Sequence, residues 1–234
     1  MFGGKTKAIT FSYDDGVTQD RRLIKILDKY GLKCTFNLNS NKFGEAATLF
    51  SKKTGVTVPH CKSTVAEIAD IYAGHEIAAH TLDHPLLTML DESEVIRQIE
   101  EDRKCLEGIC GYDVVGMAYP CGGVNNDDRV AAIVRDSTKI KYARTISDNY
   151  SFDPQSNLYR FDPTVRHGNW NKLFELADEF LALPEVCETP KLFYIWGHSY
   201  ELDFDDSWDL FEKFCQKISG RDDVFYGTNR EILL

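Results

Sequence analysis

Strand-like and helix-like segments alternate along the whole 234-residue chain, and this alternation does most to narrow the folds open to it. "KAITFSY" (7–13) is β-branched, aromatic and apolar, as a buried strand is. Residues 18–30 then carry Leu23, Ile24 and Leu27 at helical spacing, and Gly31 stops the run. The pair recurs. "KCTFNLN" (33–39) is followed by a helix that the capping-box residues Thr64 and Glu67 open and that runs to Tyr72. "HEIAAH" (75–80) precedes a helix over 91–106, "VVGMAYP" (114–120) one over 127–136, and "KYARTI" (141–146) one over 171–183. "KLFYIWG" (191–197), a helix over 206–219 and a short strand at 223–226 close the chain. Strands joined through helices pair in parallel, so the expected class is α/β. No linker, repeat or low-complexity segment divides the sequence, which reads as a single domain over 1–234. Two stretches read as irregular: 147–168, and 40–62 with its Gly44, Gly55 and Pro59. The second is long for a loop, so it carries function or short structure of its own.

Composition removes some classes of function. A formal charge of −10 argues against nucleic acid and against anionic membrane as partners. No run of 18 apolar residues is present to span a bilayer. Seven cysteines, an odd number with no C-x-x-C pair, fit reduced thiols better than a disulfide framework. No signal-peptide core follows the first residues, so the expected location is cytoplasmic.

In folds of this class, functional groups collect where strands give way to loops. The residues at those points are Asp14 and Asp15, Asn39, His80 and His84, Tyr119–Gly122, Arg144 and His198. In "HTLDHP", His80 and His84 are four residues apart, and one helical turn would aim both imidazoles the same way. Pro85 ends that turn. Two histidines and a carboxylate make a three-ligand metal site, and Asp15 could supply the carboxylate from a neighbouring strand end. Asp83 competes for that place, although on a turn it suits solvent or a backbone cap better. A cation would also explain the adjacent acids of "FSYDDG" (11–16): one aspartate binds the ion and the other takes a proton from its water.

"FSYDDG", "GHEIAAHTLDHP", "YPCGGVN" and "FYIWGHSYE", in that order, resemble the successive motifs of the polysaccharide deacetylases, the NodB-homology carbohydrate esterases. "FYGTNREI" resembles the last strand of that family. The resemblance implies a distorted (β/α) barrel with fewer than eight units. It implies a divalent metal, usually zinc, held by Asp15, His80 and His84. Asp14 would be the general base, His198 the general acid, and the Cys121 backbone N–H a contact to the oxyanion. The substrate would be an acetylated sugar or oligosaccharide, carrying N- or O-acetyl groups, and the reaction would release acetate.

The sequence departs from the family pattern at two places. The third motif, normally Arg-x-Pro-x-Gly, reads Ala118-Tyr119-Pro120-Cys121-Gly122. Arg144 or Arg166 is then expected to hold the Asp14 carboxylate. The fourth motif, an Asp-x-x-Asp-Trp that orients the catalytic histidine, has no match after "YARTI"; Asp148 is near but unmatched, and His167 is unassigned. Other residues are expected to be ordinary: His60 a loop histidine, His75 a hydrogen-bonded strand start, and Trp170, Trp196 and Trp208 core residues. "ELDFDDSWD" (201–209) is read as a solvated helix entry. Two other functions remain open, a hydrolase of cyclic amides on the same fold and a non-catalytic carbohydrate-binding relative.

Overall fold

The computed structural model describes residues 2–234. Its strands are β1 (Lys7–Asp14), β2 (Cys34–Leu38), β3 (Thr48–Phe50), β4 (Thr57–Pro59), β5 (Glu76–Ala79), β6 (Gly116–Ala118), β7 (Tyr142–Arg144), β8 (Val165–Arg166), β9 (Lys191–Gly197) and β10 (Val224–Tyr226). Its helices are α1 (Asp20–Lys29), α2 (Val65–Ile71), α3 (Glu92–Cys110), α4 (Asp128–Ser137), α5 (Trp170–Leu181), α6 (Glu201–Phe204), α7 (Trp208–Ile218) and α8 (Asn229–Leu233). Eight strands form one sheet in the order β7-β6-β5-β2-β1-β9-β8, with β10 also beside β1. Every strand pair in it is parallel. One edge of β1 is shared between two partners, β10 along Lys7–Ile9 and β2 along Phe11–Asp14. The end strands β7 and β8 do not pair with each other. The segment 161–166 spans the seam instead: the Phe161 N–H donates to the Ala143 carbonyl at 2.9 Å, and the Thr164 N–H to that of Tyr194 at 2.9 Å. The sheet therefore curls into the distorted (β/α) barrel that the strand–helix alternation and the resemblance led one to expect.

Strand residues alternate between two unlike environments. Ile9, Phe11, Tyr13, Phe36, Ile77, Met117, Phe193 and Ile195 face outward and form the main apolar core with the helices. The inward positions are polar or small. Ser12 and Asn37 bond at 2.8 Å, Thr35 and Tyr142 both donate to the buried Glu76, and Ala78, Gly116 and Ala118 leave room for the larger residues opposite. A Cβ on Gly116 would stand 2.0 Å from the Tyr142 ring, so that position has space only for glycine. Asn229, opening α8, plugs the base by bonding Thr10, the Tyr194 hydroxyl and Thr35.

Several boundaries differ from the sequence reading. The helix expected over 91–106 runs on to Cys110, where Gly111 stops it at φ 76°. The helix expected over 206–219 is α7, whereas the short α6 before it and α8 were not foreseen. The stretch 40–62 contains the antiparallel hairpin β3–β4, and 147–168 contains β8. Among the described residues no helix is long and apolar enough to cross a membrane, and all seven cysteines are free thiols.

Candidate active site

The carboxyl ends of β1, β5, β6 and β9 converge on a cavity of about 310 Å³, lined by Asp14, Asp15, His80, His84, Tyr119 and Cys121 on one side. Ile146, Arg166, Trp196, His198 and Tyr200 line the other. The backbone is tightly turned where these side chains leave it. Asp15, Thr81, His84 and Cys121 are four of the six non-glycine residues at positive φ among the described residues, at 61–83°. Such conformations are costly and concentrate at functional sites. Gly16 follows Asp15 at φ 64°, and a Cβ there would press to 2.9 Å from Leu38. "DDG" is thus the turn that sends Asp14 into the barrel and Asp15 over its rim.

Asp14 is enclosed by neutral and cationic donors. The Arg144 side chain reaches its carboxylate at 2.5 Å, and the Asn37 amide donates to Oδ1 at 2.8 Å. Burial alone would raise this carboxyl; the charge and hydrogen bond of Arg144 and the charge of His198 outweigh it and hold it below its ordinary value. Arg144 is cross-strand partner to Ala118. The guanidinium that the third motif lacks therefore comes from the next strand, at the same level of the barrel. Arg166 lies elsewhere: it pairs with Glu201, and its guanidinium sits 5.3 Å from the Trp196 ring. Arg144 approaches the Trp196 ring to 4.6 Å. Trp196 is buried, as a core residue would be, but it is also a wall of the cavity.

The ligand atoms of Asp15, His80 and His84 lie within 4.8 Å of one another. Bonds of about 2.0–2.2 Å at a tetrahedral ion put such atoms roughly 3.5 Å apart, so a small inward shift would suffice. His80 Nδ1 lies 2.8 Å from the Ala118 carbonyl, which accepts its proton and leaves Nε2 as the free lone pair. Burial lowers both histidines, His84 to about 4, so both are neutral imidazoles. The donor set fits a divalent cation. The Cys121 N–H points at His84 Nε2 from 3.4 Å and so borders the place such an ion would take. Asp83 turns away to Asn41 and Gln98.

His198 directs Nε2 toward the two aspartates, 3.8 Å from Asp14 Oδ2 and 3.9 Å from Asp15 Oδ2. Its Nδ1 donates to Glu201 at 2.8 Å. Burial works against the imidazolium, but Glu201, Asp15 and Asp14 overcome it, and the pKa of His198 is raised. Glu201 is held well below the usual carboxylate range, because His198, His167 and Arg166 outweigh its burial. His167 lies 3.4 Å from Glu201 and 2.8 Å from the Tyr13 hydroxyl. The Cβ-free Gly197 admits the His167 ring; a Cβ would meet it at 2.2 Å.

A model of the polysaccharide deacetylase family matches residues 3–137. The chain belongs to that family. It is similar to the peptidoglycan-N-acetylmuramic acid deacetylase PdaC of Bacillus subtilis (strain 168), with 27% identity over 125 residues, 53% of this chain and 23% of that protein. It thus spans about a quarter of the length of this curated relative. The structure of PdaC from Bacillus subtilis superposes with a TM-score of 0.56 at 18% identity, covering 98% of this chain and 91% of that one. A family 4 carbohydrate esterase from Streptomyces lividans superposes at 0.58 with 14% identity, covering 96% and 93%. These two likenesses establish the fold.

For a member of that family the chain is unusual in what surrounds Asp14 and His198. Residues 201–209 are not simply a solvated helix entry. Glu201 is half-buried against His198, and its place at i+3 in "HSYE" on the first turn of α6 was the available signal. His60 is more than a loop histidine: Nε2 stands 3.4 Å from Asp15 Oδ2, and Lys62 reaches Asp15 Oδ1 at 3.1 Å. Asn37 announced itself only through register, as the β2 partner of Asp14. Asn39, a strand-end residue, bonds the carbonyls of His80 and Thr81 and so shapes the histidine turn from behind. His75 is a strand-start residue that accepts the Cys34 N–H at 3.2 Å.

Proposed function

We propose that this chain is a metal-dependent hydrolase that removes acetyl groups from an acetylated carbohydrate. One observation carries the reading. A carboxylate held ionised (Asp14) and an imidazole held protonated (His198) lie 3.8 Å apart in the cavity that also contains the Asp15/His80/His84 cluster. A base and an acid pushed apart in pKa by their surroundings suit proton removal at one atom and proton delivery at another. Asp15, His80 and His84 would hold the ion, zinc by its preference for two imidazoles and a carboxylate. When bound, such an ion supplies acidification of a water and polarisation of an acetyl carbonyl.

The chain's own groups divide the remaining work. Asp14, braced by Arg144 and Asn37, accepts the proton of the attacking water. The Cys121 N–H donates to the acetyl oxygen as negative charge develops there. His198 delivers its Nε2 proton to the departing amine or alcohol, and Glu201 keeps the imidazole in the required orientation. Ile146, Trp196 and Tyr200 exclude water around the acetyl methyl. The experiment is acetate release from a panel of N- and O-acetylated oligosaccharides by zinc-loaded protein, repeated after chelation and after zinc is restored. Acetate that disappears and returns with the metal supports the reading. Ring opening of a cyclic amide without acetate would replace it, and binding of acetylated sugars without turnover would make the chain a carbohydrate-binding relative.

A further inference from the structure

Tyr13, Gly197 and His167 stand at one level of three neighbouring strands. Tyr13 and Gly197 are partners in the β1–β9 pairing, and His167 follows the last β8–β9 pair, Arg166 with Trp196, by one residue. Gly197 has no side chain, so the residues on either side of it meet across the gap. The Tyr13 hydroxyl lies 2.8 Å from His167 Nδ1, and a Cβ on Gly197 would stand 2.2 Å from that same nitrogen. Trp170 and Phe211 flank the imidazole, with ring centroids 5.8 and 6.3 Å away. The His167 N–H donates to the Trp196 carbonyl at 2.8 Å and fixes the backbone.

The other ring nitrogen, Nε2, faces Glu201 Oε2 at 3.4 Å. The two neighbours of the ring decide where its proton sits. Glu201 is ionised and can only accept, whereas a tyrosine hydroxyl can donate. Nε2 therefore carries the proton, and the Nδ1 lone pair accepts the Tyr13 O–H. Burial lowers the imidazole to about 4, so the ring is neutral and has this single proton to place. The opposite tautomer would set a lone pair against a carboxylate and leave the buried Tyr13 proton without an acceptor, a costly state.

Glu201 passes the constraint on. Its Oε1 accepts from His198 Nδ1 at 2.8 Å, which leaves His198 Nε2 facing the two aspartates. Arg166 grips both oxygens of the same carboxylate. Its side chain is 45% exposed, however, and that of His167 only 1%. The bracing that solvent cannot loosen comes from His167.

We propose that Tyr13 and His167 position the acid: they fix the rotation of the Glu201 carboxylate and, through it, the orientation of His198, the task that the absent fourth motif performs with an aspartate. Both are positioning residues and touch no substrate. The proposal rests on the reading of His198 as the acid of a deacetylase.

The test compares two substrates of zinc-loaded protein: nitrophenyl acetate, and the N-acetylated oligosaccharide from which the parent chain releases acetate fastest. His167→Ala should lower turnover of the oligosaccharide about tenfold, a fraction of the 10²–10⁴ that a general acid supplies, and that of the aryl ester several-fold less. His167→Gln should recover most of the loss, because its amide N–H can donate to Glu201 while its carbonyl accepts from Tyr13. Since His167 acts through Glu201, adding His167→Ala to Glu201→Gln should cost less than about a further twofold. Tyr13→Phe should likewise add nothing to His167→Ala. A histidine that only packs would lose equally on both substrates, gain nothing from glutamine and add its full loss to that of Glu201→Gln; any of these results overturns the proposal. Should His167→Ala fail to fold, His167→Gln and the nitrogen NMR of the parent chain still decide. Imidazole 15N spectra of the parent chain are expected to show His167 protonated at Nε2, and a proton at Nδ1 overturns the proposal whatever the turnover. A parent chain with the expected tautomer that releases no acetate rejects the deacetylase reading and leaves the bracing of Glu201 standing.

Discussion

The two halves of the catalytic pocket have different histories in the sequence. Asp14, Asp15, His80, His84 and Cys121 all lie within residues 3–137, the stretch that matches the family. Arg144, Arg166, Trp196, His198 and Glu201 lie outside it. The first group contains the three proposed ligands of an ion, for which bond lengths near 2 Å and fixed angles tolerate little variation. The second group needs only a cation beside one carboxylate and a carboxylate beside one imidazole. Those demands can be met from several directions, and here they are met from new ones: a guanidinium from β7 where the motif has one on β6, and a carboxylate three residues past the histidine it orients. In this chain the proposed metal ligands keep the family motifs, and the supports of the proposed acid and base do not.

The largest expected effect lies in the rigid half. His80→Ala or His84→Ala removes one of the three proposed ligands. Metal content should fall in parallel with turnover, by roughly 10³-fold or more if several kcal/mol of stabilisation are lost. Either variant retaining a full equivalent of tightly bound zinc would place the ion elsewhere and dissolve the contrast.

The next test moves a support between strands. Arg144→Ala withdraws the charge that lowers Asp14, so the carboxyl rises and its ionised form is lost at a higher pH. Turnover should fall by roughly 10²–10³, and the acidic limb of the pH–rate profile should move upward. Because Ala118 and Arg144 are cross-strand neighbours, Ala118→Arg added to Arg144→Ala should recover part of that loss. Ala118→Arg alone would bury two guanidinium groups side by side and should lower thermal stability instead. Failure of the double variant to recover would mean that the barrel level, and not the strand, fails to define the support.

A smaller effect is expected at the acid. Glu201→Gln keeps the shape and removes the charge that raises His198. The imidazolium then deprotonates at a lower pH, so the alkaline limb should move down. Turnover of N-acetyl substrates at neutral pH should drop by roughly 10–10², less than for loss of the histidine itself. An aryl acetate, whose leaving group departs without a proton, should be hardly affected. Equal losses on both substrates would assign Glu201 to packing.

The same contrast explains how much could be read in the sequence. The barrel was legible because alternating β-branched and amphipathic segments have few other uses, and the clustering of Asp15, His80 and His84 because "HTLDHP" and "DDG" are local patterns. Arg144 was legible only as one of two arginines, since choosing it over Arg166 requires knowing that β7 pairs with β6 in register. Asn37 depends on a β1–β2 register that no single segment specifies. Glu201 was hidden by its neighbours: in an acidic run, a buried carboxylate and a solvated one look alike. His60 and Lys62 were hidden because an irregular stretch gives no sign that it folds back across the site.

The smallest expected effect concerns the joint between the halves. Asp20, the first residue of α1, is wholly buried. It accepts bonds from Tyr72 at 2.7 Å, in the first half, and from Ser199 at 2.5 Å, beside His198 in the second. Burial outweighs those bonds and pushes its carboxyl up to about 7. An unfolded aspartate titrates near about 3.9. Between these values the folded chain holds a proton that the unfolded chain has lost, so stability is greatest below about pH 4 as far as this group is concerned and declines as pH rises toward 7. The slope is at most about 1.4 kcal/mol per pH unit. Asp102, which receives the backbone N–H groups of Ser40 and His80 and is also raised to about 7, contributes with the same sign. Asp14, Asp15 and Glu201 are lowered, so their opposite contribution falls below about pH 4, outside this window. Asp20→Asn keeps both hydrogen-bond partners within reach and removes the titration. Burial lowers the imidazoles of His80, His84 and His167, which contribute with the opposite sign over part of this window, so the effect of Asp20 is read as a difference between two chains. As pH rises from about 5 to about 7.5, the Tm of Asp20→Asn should gain on that of the parent chain, while turnover changes only a few-fold. A Tm difference that does not change with pH would show that Asp20 is ionised in the folded chain, and that the joint between the two halves is a charged one.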